Sequence, residues 1–282
     1  MTHESLQEIV CCMGQPVAGN PSQFMMERAF AAAGLDWRYL TLEVTPEDLP
    51  AAVAGMKAMG FSGGNFTIPH KVAVIAHLNR LTEAAELMGA VNCVFAEEDG
   101  FVGENTDGKG FVAALKEVVE PEGKKVVLFG AGGAARAIAV ELGLNKVASI
   151  DVVNRDAGRG RDLANLLTER VGIAARWIPW NGKHTLPEDA DLVINGTSIG
   201  LSDAAAMLPV DLDTFRESML VADVSFNPPQ TAFLQAAEDA GCQAIDGLGM
   251  LVNQGAIGFK IWTGIEPDRA VMREALEEYL GI

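Results

Sequence analysis

The sequence predicts an α/β protein of two domains, an N-terminal α/β unit and a second unit built on a doubly wound parallel sheet. Short β-rich runs alternate with helical stretches along nearly all of the 282 residues. One apolar strand, KKVVLF (124–129), runs straight into a glycine loop and then a helix. About 49% of residues are apolar, enough for two cores in a chain of this length.

The elements follow in order. IVCCM (9–13) reads as a buried strand ended by Gly14-Gln15-Pro16. Residues 22–33 read as a helix stopped by Gly34, and WRYLTLEV (37–44) as a second strand. Thr45-Pro46-Glu47-Asp48 carries a hydroxyl N-cap, an early proline and two acids, so a helix is expected from there to about Met59. GGNFTI (63–68) and VNCVF (91–95) are further strands. Beyond KKVVLF, strands are expected at 147–154, 174–178, 191–195, 220–224 and 243–246, with an amphipathic helix over 157–170. Residues 247–282 read as helical and are placed back on the first unit. The expected domains are 1–107 plus 247–282, and 108–246. Linkers near 108–112 and 246–250 are expected to act as hinges.

Charge and composition exclude several functions. Lys and Arg total 21 against 38 Asp and Glu, a net charge of −17. Such a chain is a poor binder of nucleic acid or of anionic membranes, and no apolar run is long enough to span a bilayer. MTHESLQEIV lacks the basic and apolar parts of a secretory signal. Cys11, Cys12, Cys93 and Cys242 form no C-x-x-C pair, so reduced thiols in the cytoplasm are expected. His3, His70, His77 and His184 show no metal-ligand spacing, and no metal is expected. A small-molecule partner is expected, and a monomer and a homodimer fit the sequence equally.

Gly130-Ala131-Gly132-Gly133-Ala134-Ala135 fits the G-x-G-x-x-A fingerprint of a Rossmann domain. Gly130 permits the tight turn, Gly132 lets backbone approach a pyrophosphate, Ala135 keeps the helix close to the sheet, and the helix N-terminus points its N–H groups at the phosphates. Asp151 has the spacing of a ribose-binding acid, but Val152-Val153 prolong the strand, and its tip falls at Asn154-Arg155-Asp156. Arg155 and Arg159 suit a bidentate grip on a 2′-phosphate, which favours NADP. Asp156 suits ribose hydroxyls, so NAD stays open.

Pro69-His70-Lys71 places a lysine at a rigid strand-to-helix turn, where partial burial can tune it for proton transfer. Read alone, Lys71 is an ordinary surface lysine and Asp107 a turn-stabilising acid. Their surroundings change that. The phrases GQPVAGNPSQ (14–23), GGNFTIPHK (63–71), GAVN (89–92), GENTDGKG (103–110), GAGGAARA (130–137), NRDAGR (154–159), INGTSIG (194–200), FNPPQT (226–231) and GLGMLVNQGAIGFKIWTG (247–264) together resemble the shikimate dehydrogenase family, in order and over nearly the whole chain.

The resemblance implies reversible, NADP-dependent oxidation of shikimate to 3-dehydroshikimate in aromatic amino acid and chorismate biosynthesis. It implies Lys71 as the acid/base and Asp107 as the group that binds the substrate hydroxyl and orients Lys71. Asn20, Ser22, Thr67, Asn92 and Gln254 fall at substrate-binding positions. Gly130, Gly132, Gly133, Ala134, Asn154, Arg155 and Arg159 fall at cofactor positions. The chain also departs from the family. A Ser-x-Ser-Pro carboxylate clamp is replaced by Asn20-Pro21-Ser22-Gln23, with amide groups at Asn20 and Gln23 as substitute donors, and a tyrosine before Asn-Pro is replaced by Phe226. Quinate or another shikimate-like hydroxy acid, with NAD in place of NADP, is therefore the alternative. A nucleotide-sensing homologue without turnover is the third reading.

Overall fold

In the computed structural model, residues 6–282 are described. MTHES, at the start of the expected substrate domain, lies outside them. The chain forms β1 (Glu8–Gly14), α1 (Ser22–Ala32), β2 (Trp37–Glu43), α2 (Leu49–Ala58), β3 (Gly63–Phe66), α3 (His70–Ala73), β4 (Arg80–Leu81), α4 (Glu83–Met88), β5 (Cys93–Glu97), β6 (Gly100–Glu104) and α5 (Thr106–Lys116). It continues with β7 (Lys125–Phe129), α6 (Gly133–Leu144), β8 (Ser149–Asn154), α7 (Ala157–Leu166), β9 (Ala174–Pro179), β10 (Leu192–Asn195), β11 (Leu220–Asp223), α8 (Ala232–Asp239), β12 (Gln243–Ile245), α9 (Gly247–Thr263) and α10 (Arg269–Leu280).

These elements divide into two compact units, Met1–Thr106 with Gln254–Ile282, and Asp107–Asn253. The chain passes between the units inside α5 and inside α9. The segments expected to be hinge linkers are therefore helical, and 247–253 belongs with the second unit. Glycines 108 and 247 suggested loops, but each is required for close packing. A Cβ on Gly108 would run into the carbonyl oxygen of Ala137, and one on Gly247 into that of Ser225.

The first unit holds a mixed sheet in the order β2-β1-β3-β5-β6-β4. β5 runs antiparallel to β3 and β6, while β1 is parallel to both β2 and β3. β5 and β6 form a hairpin in which Glu97 pairs with Gly100. Side-chain alternation sorts the two faces. Cys11, Met13, Phe66, Val94 and Phe101 pack with Leu49, Val53 and Met56 of α2. On the helical side of the unit, Phe30 of α1 stacks on Phe259 of α9 with ring centroids 5.1 Å apart.

The edge strand β2 is covered from α1. Gln23 Oε1 accepts the Thr41 N–H at 3.1 Å, and Glu27 Oε1 accepts the Tyr39 N–H at 2.6 Å. Residues one helical turn apart thus satisfy alternate N–H groups of the edge. The expected helix at Thr45 starts later, at Leu49, because Thr45 Oγ1 accepts the Asp48 N–H at 3.2 Å and closes a separate turn.

The second unit holds a fully parallel sheet in the order β12-β11-β10-β7-β8-β9. The strand order reverses between β7 and β10, which is the switch point where open α/β sheets bind ligands. Val127, Phe129, Val153, Trp180, Val193 and Val221 belong to the core on one side. Buried Ile138, Ala139 and Leu142 of α6 belong to the same unit.

Candidate active site

At the switch point the glycine loop is shaped for a nucleotide. Gly130 has φ +104°, a conformation open to glycine, and its N–H donates to Val153 O at 2.9 Å. A Cβ there would lie 3.0 Å from the carbonyl oxygen of Gly196, which follows β10. Gly132 caps α6, and Cβ atoms on Gly132 or Gly133 would meet nothing within 4 Å. Ala134 is half-buried in the first turn, and Ala135 is fully buried. The α6 N-terminus is thus bare backbone with room beside it, which fits a pyrophosphate.

The tip of β8 fits the outer part of a dinucleotide. Asp151 is bound by Arg176 through two contacts, Nε–Oδ1 at 2.7 Å and NH2–Oδ2 at 2.8 Å, so it is a strand-to-strand partner. Asn154 Nδ2 donates to Asp156 O at 2.8 Å. Asp156 is the N-cap of α7, its Oδ1 accepting the Arg159 N–H at 3.0 Å. That carboxylate, a competitor for ribose hydroxyls in the sequence, works as a helix cap. Arg155 and Arg159 are both exposed.

A buried polar network braces the same edge. Asn195 and Asp223 are neighbours in register on β10 and β11 and are 0% and 1% exposed. Asp223 Oδ2 accepts from Asn195 Nδ2 at 3.0 Å and from Thr231 Oγ1 at 2.9 Å, and Oδ1 accepts from the Ser225 N–H at 2.9 Å. Asn195 Oδ1 in turn accepts from Thr197 N–H at 3.0 Å and from Thr197 Oγ1 at 2.7 Å. Thr197 packs toward Gly130, so the network fixes what the glycine loop rests on.

In the first unit, α3 presents Lys71, which is half-buried. His70 beside it is fully buried, and its Nε2 donates to Val44 O at 2.8 Å. The Lys71 carbonyl accepts the Val91 N–H at 2.7 Å. Those two bonds fix the backbone on which Lys71 stands, although α3 has only four residues. The Ile68–Pro69 peptide preceding it is cis. Thr67, half-buried, accepts the His70 N–H at its carbonyl, 2.8 Å, and packs on Gly14.

Asn92, Thr106 and Gln254 meet in one cluster. Thr106 N–H donates to Asn92 Oδ1 at 2.7 Å, and Asn92 Nδ2 donates to Thr106 Oγ1 at 3.0 Å. Gln254 Oε1 lies 3.5 Å from Asn92 Nδ2 and 3.4 Å from Thr106 Oγ1. All three are buried. Asp107, half-buried, is the next residue after Thr106 in the first turn of α5.

A second cluster surrounds Cys12. Asn20 Nδ2 donates to Cys12 Sγ at 3.3 Å, while Asn20 Oδ1 accepts the Ser22 N–H at 2.8 Å. Ser22 opens α1 and is buried. Tyr39, fully buried, donates its hydroxyl to Asn65 Oδ1 at 2.7 Å, and Asn65 Nδ2 donates to Asn92 O at 3.0 Å. Burial pushes the Cys12 thiol up to about 11, a rise opposed by its hydrogen bond with Tyr39 and by the charge of Lys71. Cys12 therefore sits within the field of Lys71.

Cys12, Tyr39, Asn65 and His70 surround the candidate site without having been singled out from the sequence. Asn65 and His70 carried a signal, their place in GGNFTIPHK (63–71). Trp177 and Trp180 near the β8 tip were not singled out either. Gln23, offered as a substitute ligand, is exposed, with its carbonyl committed to Thr41 of β2. Phe226 is half-buried just beyond β11.

The chain is similar to known proteins over nearly its whole length. The shikimate dehydrogenase substrate binding domain matches residues 12–94, and the shikimate 5'-dehydrogenase C-terminal domain matches 247–277. Shikimate dehydrogenase (NADP(+)) of Methanopyrus kandleri is 42% identical over 277 residues, spanning 96% of each chain. The ligand-free structure of 5-ketofructose reductase from a Gluconobacter species is 48% identical, with TM-score 0.96 over 98% of this chain and 99% of that one. Shikimate 5-dehydrogenase of Thermus thermophilus, in complex with NADP(H) and shikimate, is 34% identical with TM-score 0.84 over 97% and 100% of the two chains. With a mixed substrate-domain sheet, a six-stranded parallel nucleotide-binding sheet and relatives matching end to end, the chain belongs to the shikimate dehydrogenase family.

Proposed function

We propose that the chain is an NADP-dependent oxidoreductase that interconverts shikimate and 3-dehydroshikimate. The observation that carries this reading is the buried Asn92–Thr106–Gln254 cluster, whose last backbone link leads directly to Asp107. Amide and hydroxyl groups set around one point recognise ring hydroxyls and reject analogues that lack them. The name and full-length match of the Methanopyrus relative support the same reading.

The residues at the β7 and β8 tips would hold the cofactor. The backbone of Gly130, Gly132, Gly133 and Ala134 would receive the pyrophosphate, Asn154 would face the adenosine, and Arg155 and Arg159 would take the 2′-phosphate. NADP bound there supplies the hydride acceptor. Lys71 Nζ takes the proton from the reacting hydroxyl in the oxidation direction and returns it in reduction. Asp107 accepts a hydrogen bond from a neighbouring ring hydroxyl and so orients the ring for that transfer. Asn92, Thr67, Gln254, Ser22 and Asn20 hold the rest of the ring. Cys11, Cys12, Cys93 and Cys242 are buried as thiols, which supports placing the protein in the cytoplasm.

Asn20 favours a second reading. It stands in the clamp as an amide, with one donor on Cys12 and its carbonyl on the Ser22 N–H. Such a site suits a hydroxylated ketone without a carboxylate, and the Gluconobacter relative is named for one, 5-ketofructose. Initial rates at 340 nm separate the readings, with shikimate and quinate against NADP and NAD, and 3-dehydroshikimate and 5-ketofructose against NADPH. Turnover of shikimate and 3-dehydroshikimate with NADP(H) supports the first reading. Turnover of 5-ketofructose alone overturns it in favour of the second.

A further inference from the structure

Arg155 stands immediately beyond the end of β8, and its guanidinium lies over the ring of Trp180, Cζ 4.9 Å from the centroid. The indole is fixed on its other sides. Trp180 is 6% exposed, its Nε1 donates to Pro209 O at 3.0 Å, and its ring packs on Phe129 with centroids 5.2 Å apart. Phe129 is the last residue of β7 and leads directly into Gly130. One immobile ring therefore touches both the root of the glycine loop and the exposed arginine at the neighbouring strand tip.

A guanidinium stacked on an aromatic face keeps its in-plane N–H donors free, and those are the groups that grip a phosphate in bidentate fashion. Stacking also removes rotamers that an exposed arginine would otherwise lose on binding. A lysine in the same place offers a point charge with no planar face. Among the described contacts of the Arg155 side chain, the Trp180 stack is the one that sets its orientation. In the adjacent carboxylate, Asp156, Oδ1 accepts the Arg159 N–H as the α7 cap.

We infer that Trp180 is a specificity-determining positioning residue that holds Arg155 ready for the 2′-phosphate of an NADP-type nucleotide. Selection for nucleotides bearing that phosphate then rests on a fixed stack as well as on charge. The inference builds on the reading of Arg155 as a phosphate ligand.

Calorimetric titration of the full-length protein with 2′,5′-ADP and with 5′-AMP tests it. Trp180→Leu should weaken 2′,5′-ADP by about five- to ten-fold and 5′-AMP by less than two-fold. Trp180→Phe, which keeps an aromatic face, should recover most of the loss. In an Arg155→Ala background, Trp180→Leu should add nothing. Equal losses for both nucleotides, or a full Trp180→Leu effect without Arg155, would overturn the inference. If Trp180→Leu does not fold, Arg155→Lys decides, since it keeps the charge and loses the stack. Affinity for 2′,5′-ADP near that of Arg155→Ala supports the inference, and wild-type affinity overturns it. An Arg155→Ala variant with undiminished 2′,5′-ADP binding refutes the ligand assignment itself, a result distinct from failure of the Trp180 role.

Discussion

Asn92 and Thr106 exchange hydrogen bonds in both directions, Thr106 N–H to Asn92 Oδ1 at 2.7 Å and Asn92 Nδ2 to Thr106 Oγ1 at 3.0 Å. This pair ties the turn before β5 to the start of α5, and so sets where Asp107 begins. Asn92→Ala leaves a buried N–H, a hydroxyl and the Gln254 amide short of partners. It should lower stability by about 1–3 kcal/mol in urea unfolding and should reduce kcat/KM further than that loss explains. An unchanged unfolding midpoint would show that the pair is not holding the turn.

Asp223 should be sensitive to truncation for a related reason. Its buried carboxylate accepts from Asn195, Thr231 and the Ser225 backbone. Asp223→Ala should destabilise the protein by about 3 kcal/mol or more and raise the KM for NADPH, because the loop beside Gly130 loses its brace. Denaturant titration and initial rates at varied NADPH check the two effects separately.

Alkaline pH should weaken the fold through Cys12. The thiol rises from an ordinary value near 9 to about 11, chiefly by burial. The folded state holds this proton more tightly than the unfolded state. The associated stability is complete below pH 9 and is lost as pH climbs through 11, on the order of 2–3 kcal/mol in all. Burial moves Cys11 and Tyr39 in the same direction. Thermal melts from pH 8 to 11 should show Tm falling above pH 9, less steeply in Cys12→Ala.

Gly108→Ala should destabilise, although alanine is ordinarily the better helix former. The added methyl would meet the carbonyl oxygen of Ala137, an unyielding backbone atom. A loss of about 1–3 kcal/mol is expected. A gain in Tm would mean that α5 and α6 are less closely packed than described.

That glycine also shows where sequence reading reached its limit. The parallel sheet was legible because stretches such as VVLF (126–129) and LVI (192–194) are buried and read as apolar runs. α5 was not, since TDGKGF looks like a turn until the backbone packed against Gly108 is known. β6 and its hairpin were hidden for similar reasons, with glycines at positions 100 and 103. Within the site, Lys71, Asp107, Asn92 and the glycine loop were legible from motifs. Their supports were not, because Tyr39–Asn65, Asn20–Cys12 and Arg155–Trp180 are contacts between residues 8 to 26 positions apart, with no fixed local spacing. The contact of the Gln23 carbonyl with Thr41 on β2 was hidden for the same reason.

The proposed reaction depends on Lys71 moving the substrate proton in an NADP-dependent hydride transfer. The most direct test is the rate of NADP reduction at 340 nm with saturating shikimate, in the wild type and in Lys71→Met, alongside NADPH affinity measured by fluorescence. Brisk turnover by the wild type is expected, with a kcat at least about 100-fold lower in the variant and NADPH affinity changed by less than two-fold. A variant that turns over within two-fold of the wild type would contradict that role of Lys71.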